Sequence, residues 1–151
     1  MISIIDFELQ YAPDFKQLNL EWLNKYGLTE TADLVMLNNP QSEIIDGGGY
    51  IFLAKQDDEI IGSAALIKES ATRYELAKMA VTSAFQGRGV SKLLMQVCME
   101  KAGKVGAKTV YLSSNSQLST AVKLYEKFGF KHIAVTDSHY VTADVMMELS
   151  L

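Results

Sequence analysis

The sequence predicts an α/β (α+β) sandwich built on a central mixed sheet, and three observations carry that prediction. An early segment places apolar residues at helical spacing. The middle of the chain switches to strand-like runs broken by a short acidic turn. From Glu75 onward, strands alternate with amphipathic helices and a glycine-rich turn joins one such pair.

Taken in order, residues 2–7 alternate weakly and read as an opening strand. From Pro13 to Tyr26 the apolar positions Phe15, Leu18, Trp22, Leu23 and Tyr26 predict a helix stopped at Gly27. Thr31 to Leu37 predicts a second short helix, ended by Asn38-Asn39-Pro40. Gly47 to Gly49 read as a flexible lead-in to a hairpin of two strands, Tyr50–Lys55 and Ile60–Lys68, joined by Gln-Asp-Asp-Glu. Glu75–Thr82 is the next strand. Val90, Leu93, Leu94, Val97 and Cys98 then mark one buried face of a helix, with Gly106 as its cap. Lys108–Ser113 is a strand, and Leu118 to Phe128 carries a further amphipathic helix closed by Gly129. Phe130–Val135 and Val141–Leu149 complete the chain as strands.

At 151 residues this is a single domain, 1–151, long enough to bury a core. Apolar residues make up 48% and charged residues 21%, as in ordinary soluble proteins. No apolar run reaches the ~20 residues that span a bilayer. The opening Met-Ile-Ser-Ile-Ile-Asp lacks the basic region of a signal peptide, so the expected setting is cytoplasmic with no membrane partner. Cys98, His132 and His139 do not assemble a metal set, and no metal is expected. A net charge of −4 without any basic run excludes a nucleic-acid partner and weakly favours a cationic substrate. Cys98 reads as a small buried hydrophobe.

The stretch Ala-Phe-Gln-Gly-Arg-Gly-Val-Ser, from Ala84 to Ser91, separates a strand from a helix. Glycines there weaken the helix start by about 0.5–1 kcal/mol each, so a backbone geometry requires them. A turn of this kind points several amides into one concavity at the positive end of a helix, which is a means of holding phosphate. The P-loop pattern fails because no Lys-Ser or Lys-Thr pair follows a glycine. The dinucleotide pattern fails because the third glycine is missing and a strand meander precedes the turn.

A third pattern, Gln/Arg-x-x-Gly-x-Gly/Ala, fits: Gln86 and Gly89 match, while Ser91 stands where a glycine or alanine is usual. Here the sequence resembles the GNAT superfamily of acyl-CoA-dependent N-acetyltransferases. The strand Glu-Leu-Ala-Lys-Met-Ala-Val (Glu75 to Val81) precedes the loop, Val-Tyr-Leu-Ser-Ser-Asn (Val110 to Asn115) follows its helix, and Ala-Val-Lys-Leu-Tyr-Glu-Lys-Phe-Gly-Phe (Ala121 to Phe130) comes next. Several matched segments in order extend the resemblance over nearly the whole chain. The implied fold is a twisted, mostly antiparallel mixed sheet of about six to seven strands flanked by about four helices.

The resemblance implies an N-acetyltransferase that moves an acetyl group from acetyl-CoA to a primary amine of a small molecule or peptide, by direct attack in a ternary complex. On that basis Met79, Ala80 and Val81 hold the pantetheine arm, with the Val81 N–H at the thioester oxygen. Gln86, Gly87, Arg88, Gly89, Val90 and Ser91 hold the pyrophosphate. Asn115, Ser119, Ala121 and Val122 bracket the rest of the coenzyme. Tyr125 matches the general acid near the sulfur, and Glu75 the general base of the histone-acetyltransferase branch. From residue type alone, Tyr125 is equally a core aromatic, Glu75 a solvent-facing strand acid, Asn115 a turn former and Arg88 a solvated loop side chain. The acceptor wall falls at Phe15–Leu37 and Thr136–Tyr140, where Trp22, Tyr26 and Tyr140 line a pocket or fill the core. Members of the family are often homodimers. A non-catalytic acyl-CoA sensor of the same fold and an adenine-nucleotide binder outside the family are the competing readings.

Overall fold

The computed structural model describes residues 1–136, 138 and 140–151. Its strands are β1 (Ile2–Asp6), β2 (Tyr50–Gln56), β3 (Glu59–Lys68), β4 (Arg73–Val81), β5 (Thr109–Ser114), β6 (Lys131–Ile133) and β7 (Val145–Ser150). They form one sheet in the order β1-β2-β3-β4-β5-β7-β6. Neighbouring strands are antiparallel except β4 and β5, which run parallel. The α-helices are α1 (Ala12–Lys25), α2 (Thr31–Asn38), α3 (Val90–Lys104) and α4 (Ser119–Lys127). A π-helical turn at Gln41–Ile45 lies before the hairpin.

Both faces of the sheet are covered, which explains why β2 and β3 read as continuous apolar runs. On one face Ile51, Leu53, Ala65 and Ala80 pack with Phe15 and Leu18 of α1, Leu37 of α2 and Ile44. On the other, Phe52, Ala54, Ala64, Leu66, Val110 and Leu112 pack with Val90, Leu94, Met95 and Cys98 of α3 and Tyr125 of α4. The two clusters take alternate residues of the same strand, as the pleat dictates.

Three expectations change. Gly49 is not a flexible lead-in but is buried, and a Cβ there would lie 2.5 Å from the Leu66 carbonyl oxygen and 2.7 Å from that of Ile44. The last two strands are shorter than Phe130–Val135 and Val141–Leu149 predict. The amides of Val141 and Thr142 are taken by the Glu30 carboxylate, at 2.9 and 2.8 Å, and cannot join a ladder. Val141 projects its side chain outward and is 95% exposed. In the expected wall segment Thr136–Tyr140, Asp137 and His139 lie outside the described residues.

Two irregularities of β4 position the site. Its pairing with β5 covers only Arg73, Tyr74 and Glu75, opposite Thr109, Val110 and Tyr111. Beyond that point the strands part: β4 runs on to Val81 against β3 alone, and β5 runs on to Ser114 against β7 alone. Second, the register with β3 shifts between Ser63↔Ala80 and Ala65↔Ala77, so Lys78 and Met79 together oppose Ala64 in a β-bulge. Lys78 takes the left-handed conformation there, with φ of 53°. Its carbonyl accepts the Ser63 hydroxyl at 2.7 Å, and Ser63 accepts the Asn19 amide of α1 at 3.0 Å. The bulge is thereby braced from both the sheet and α1.

Candidate active site

The wedge between β4 and β5 opens into a cavity of about 540 Å³. One wall is Glu75–Val81, the other Ser113–Asn115, with α4 and the glycine loop beside them and α1, α2 and Tyr140 opposite. Parting strands expose backbone groups that a closed sheet would consume, and Val81 shows this directly. Thr82 N–H donates to the Ile61 carbonyl at 2.9 Å. In an antiparallel ladder the next residue back is turned the other way, so the Val81 N–H and carbonyl face the open side of β4. The Val81 carbonyl accepts the Gln86 side-chain amide at 3.1 Å, which closes the turn into the loop.

Gly87 and Gly89 have φ of 78° and 79°, the conformation that glycine alone takes without strain. A Cβ at either would meet nothing within 4 Å. Packing therefore does not require these glycines; the backbone turn and the open concavity do. Gly89 is the N-cap of α3 and no side chain caps the helix, so its first-turn amides lack a side-chain acceptor, and Gln86, Gly87, Gly89, Val90, Ser91 and Lys92 all line the cavity. Lys92, Lys123 and Lys127 add positive charge from α3 and α4. Amides at a helix start together with three ammonium groups suit the phosphates of a coenzyme.

Tyr125 lines the cavity while only 8% exposed, and burial, with a smaller contribution from nearby Cys98, pushes its phenol up to about 12. It therefore keeps its proton throughout the neutral range. Glu75 also lines the cavity, on the α1 side, and is 2% exposed rather than solvent-facing. Its charge, after desolvation, holds the Tyr140 phenol above its usual range. Beside it Lys78 Nζ lies 2.5 Å from Asp33 Oδ1, with both side chains 4% exposed, and 3.3 Å from the Tyr140 hydroxyl. Asp33 Oδ2 accepts the Glu30 N–H at 2.9 Å, completing a capping box at the start of α2. Trp22 and Tyr26, packed edge to face at 5.2 Å between ring centroids, and Leu23 and Leu28 form the apolar part of this wall.

Of the residues singled out in the sequence, the cavity brings together Glu75, Met79, Ala80, Val81, Gln86, Gly87, Gly89, Val90, Ser91, Asn115, Ala121 and Tyr125. Arg88, Ser119 and Val122 are not on its lining; the Arg88 guanidinium lies over the Phe85 ring at 5.1 Å. Asn115 donates to the Thr142 carbonyl at 2.7 Å, so it also anchors the loop before β7. Sequence reasoning missed Lys92, Lys123 and Lys127, although Lys123 and Lys127 are one helical turn apart on α4. It also missed the Asp33–Lys78 pair, for which the signal was a lysine within the otherwise apolar run Leu76–Val81. Among the described residues no cluster of metal-binding side chains forms, and no helix is long and apolar enough to cross a membrane.

Comparison with known proteins agrees with this geometry. The acetyltransferase (GNAT) domain family matches residues 12–151. The uncharacterized N-acetyltransferase YvbK of Bacillus subtilis is 30% identical over 115 residues, covering 74% of each chain. Human N-acetylaspartate synthetase is 33% identical over 104 residues, 68% of this chain but 34% of that protein, so the chain spans about a third of that relative. Among solved structures, a GNAT-family acetyltransferase from Staphylococcus aureus superposes with a TM-score of 0.90 over 99% of both chains at 19% identity. The PaiA N-acetyltransferase of Thermoplasma acidophilum, solved with coenzyme A, superposes with a TM-score of 0.79 over 100% of this chain and 99% of that one, at 17% identity. A parted β4–β5 pair, a glycine turn at a helix start and a family match over nearly the full length converge on one conclusion: the chain belongs to the GNAT acetyltransferases and is an acyltransferase.

Proposed function

We propose that this protein transfers an acetyl group from acetyl-CoA to a primary amine of a small molecule or peptide, within a complex that holds both substrates at once. The observation that carries the reading is the parting of β4 from β5 after Glu75 and Tyr111. It sets an outward-facing backbone amide, a protonated phenol and a buried carboxylate around one cavity that ends at a phosphate-type loop.

Each group has a defined task. The loop amides and the lysines of α3 and α4 bind the coenzyme's phosphates. The Val81 N–H lies where the thioester oxygen gathers negative charge, and a preplaced donor of this kind is worth about 2.7–4 kcal/mol. The amine arrives as an ammonium, with a pKa near ~10.4, and must lose a proton before attack. Glu75 takes that proton, directly or through water. As the nitrogen–carbon bond forms, the carbon–sulfur bond breaks, and Tyr125 donates a hydrogen bond and then its proton to the departing sulfur. The phenol is a weaker acid than a free thiol, so the sulfur is protonated late, and the phenolate then recovers a proton from solvent.

The test is free-thiol release from acetyl-CoA with pooled amines: polyamines, amino acids, aminoglycosides and short peptides, with an enzyme-only blank for Cys98. Release with one pool supports the transferase and identifies the acceptor by dividing that pool. Binding of acetyl-CoA without release from any pool refutes it in favour of an acyl-CoA sensor.

A further inference from the structure

Lys78 is out of place by the rules of its own strand. It takes the left-handed conformation, with φ of 53°, at the first position of the bulge, where a β-bulge of this kind is usually built on glycine. A side chain with a Cβ is strained there, and a lysine whose side chain is 4% exposed also carries the cost of burying a charge. Both penalties are offset by what the ammonium reaches. It donates to Asp33 Oδ1 of α2 and, at 3.3 Å, to the Tyr140 hydroxyl, and it lies 4.9 Å from the centroid of the Tyr140 ring. The Tyr140 hydroxyl in turn contacts Met36 Sδ of α2 at 4.0 Å. Its own carbonyl accepts from Ser63, which accepts from Asn19. Lys78 thus joins α1, α2 and the loop before β7 to one point of β4.

The bulge decides which way β4 faces beyond it. Leu76 and Val81 both pack in the cluster under α3, although an odd number of positions separates them and an unbroken strand would put them on opposite faces. Ala80, an even number of positions from Leu76, packs on the α1 side with Phe15. The extra residue reverses the alternation from Lys78 onward, and the backbone groups reverse with the side chains. The open orientation of the Val81 N–H is therefore a product of the bulge. In an unbroken strand that amide would turn into the ladder with β3.

We propose that Lys78 is a positioning residue for acetyl transfer. Its ammonium, held between Asp33 and Tyr140, fixes the bulge that turns the Val81 N–H toward the thioester, and fixes it relative to the walls of the acceptor side. This rests on the transferase reading above. Glu30 ties α2 to the loop before β7, accepting the amides of Val141 and Thr142 while its own N–H donates to Asp33. Lys78 links that assembly to β4, so that amine and thioester share one frame. A misplacement of roughly 1 Å between reacting groups can cost on the order of a hundredfold in rate.

The experiment uses two double variants that remove the ammonium without stranding the carboxylate. Asp33→Asn/Lys78→Gly keeps an oxygen for the Glu30 N–H and gives the bulge the residue its backbone favours. Asp33→Leu/Lys78→Met fills the same volume with apolar side chains. Thiol release gives kcat and both KM values. NMR of protein carrying isotope-labelled valine follows the Val81 amide as acetyl-CoA is added, and needs no acceptor. The wild-type amide should move downfield, and both variants should show a smaller movement. The kcat/KM for the amine should fall about tenfold or more in both, with KM for acetyl-CoA within about twofold of the wild type. A role confined to stability predicts wild-type kcat in a variant that folds, so that result in either one overturns the inference. An acetyl-CoA affinity that falls as far as kcat/KM overturns it too, because the whole cavity would then be disturbed. So does a wild-type Val81 amide unmoved by acetyl-CoA, or one that moves equally in the wild type and a folded variant. If the wild type releases no thiol with any amine, the transferase reading fails instead, and the Val81 amide alone decides the role of Lys78.

Discussion

Replacing Asp33 with alanine strands the Lys78 ammonium in a site where its side chain is 4% exposed. Removing one partner of a buried pair costs roughly 3–5 kcal/mol, because the remaining charge keeps its desolvation penalty and loses the compensating attraction. Asp33 also accepts the Glu30 N–H at the start of α2, and loss of that cap adds about 1 kcal/mol. The sum, about 4–6 kcal/mol, is a large share of the ~5–15 kcal/mol that holds a domain together. In a chain of this size it lowers the melting temperature by on the order of 10–20 °C. Chemical denaturation of Asp33→Ala, Lys78→Met and the double variant Asp33→Leu/Lys78→Met gives the comparison. The double variant should recover all but the capping loss, since two apolar residues in place of a buried pair are nearly neutral. A loss below about 1 kcal/mol for Asp33→Ala refutes the reasoning, because it would mean that water reaches the pair.

Tyr125→Phe should lower kcat by about a hundredfold or more with acetyl-CoA affinity nearly unchanged, and unaltered turnover removes the phenol from proton transfer. Glu75→Gln should abolish the acidic limb of the kcat/KM profile, and a profile superimposable on the wild type removes the base. Gly49→Ala should cost about 3 kcal/mol or more by denaturant midpoint, since its Cβ meets two backbone carbonyls that cannot both retreat, while Gly87→Ala meets only the backbone preference of about 1 kcal/mol. Burial raises the Cys98 thiol from 9.0, and the Tyr125 phenol from 10.0, each to about 12. The unfolded chain sheds these protons first, so the folded state loses stability as pH rises from about 9 toward 12. Thermal melts from pH 7 to 11 should show this decline, and Cys98→Ala should flatten it.

Much of the architecture was readable because the strands and helices carry unmixed periodicities. Val90, Leu94 and Cys98 repeat on one face of α3, and Tyr50 to Lys68 breaks only at its acidic turn. The glycine turn was readable because positive backbone angles leave glycine as the natural occupant. The β-bulge at Lys78 was not: a lysine in left-handed geometry has no sequence signature, and its carbonyl partner Ser63 lies on a neighbouring strand. Glu75 was misleading for the same reason. Its burial depends on α1 and α2 folding over that face, which local sequence does not encode. The last two strands were overextended because Val141 looks like a strand residue, and only the distant Glu30 diverts its backbone.

That diversion has an evolutionary consequence. The Glu30 carboxylate gathers the amides of Val141 and Thr142 and the Thr142 hydroxyl. Desolvation raises its pKa, but these hydrogen bonds more than compensate and hold the carboxyl below its usual value. Two segments separated by 111 positions are thus fastened together beside the cavity, which Tyr140 and Thr142 line. A new specificity cannot be installed by exchanging the loop before β7 alone. A transplanted loop without amides in register with Glu30 would arrive unmoored, and substitutions on α2 and on this loop should be inherited as a matched set.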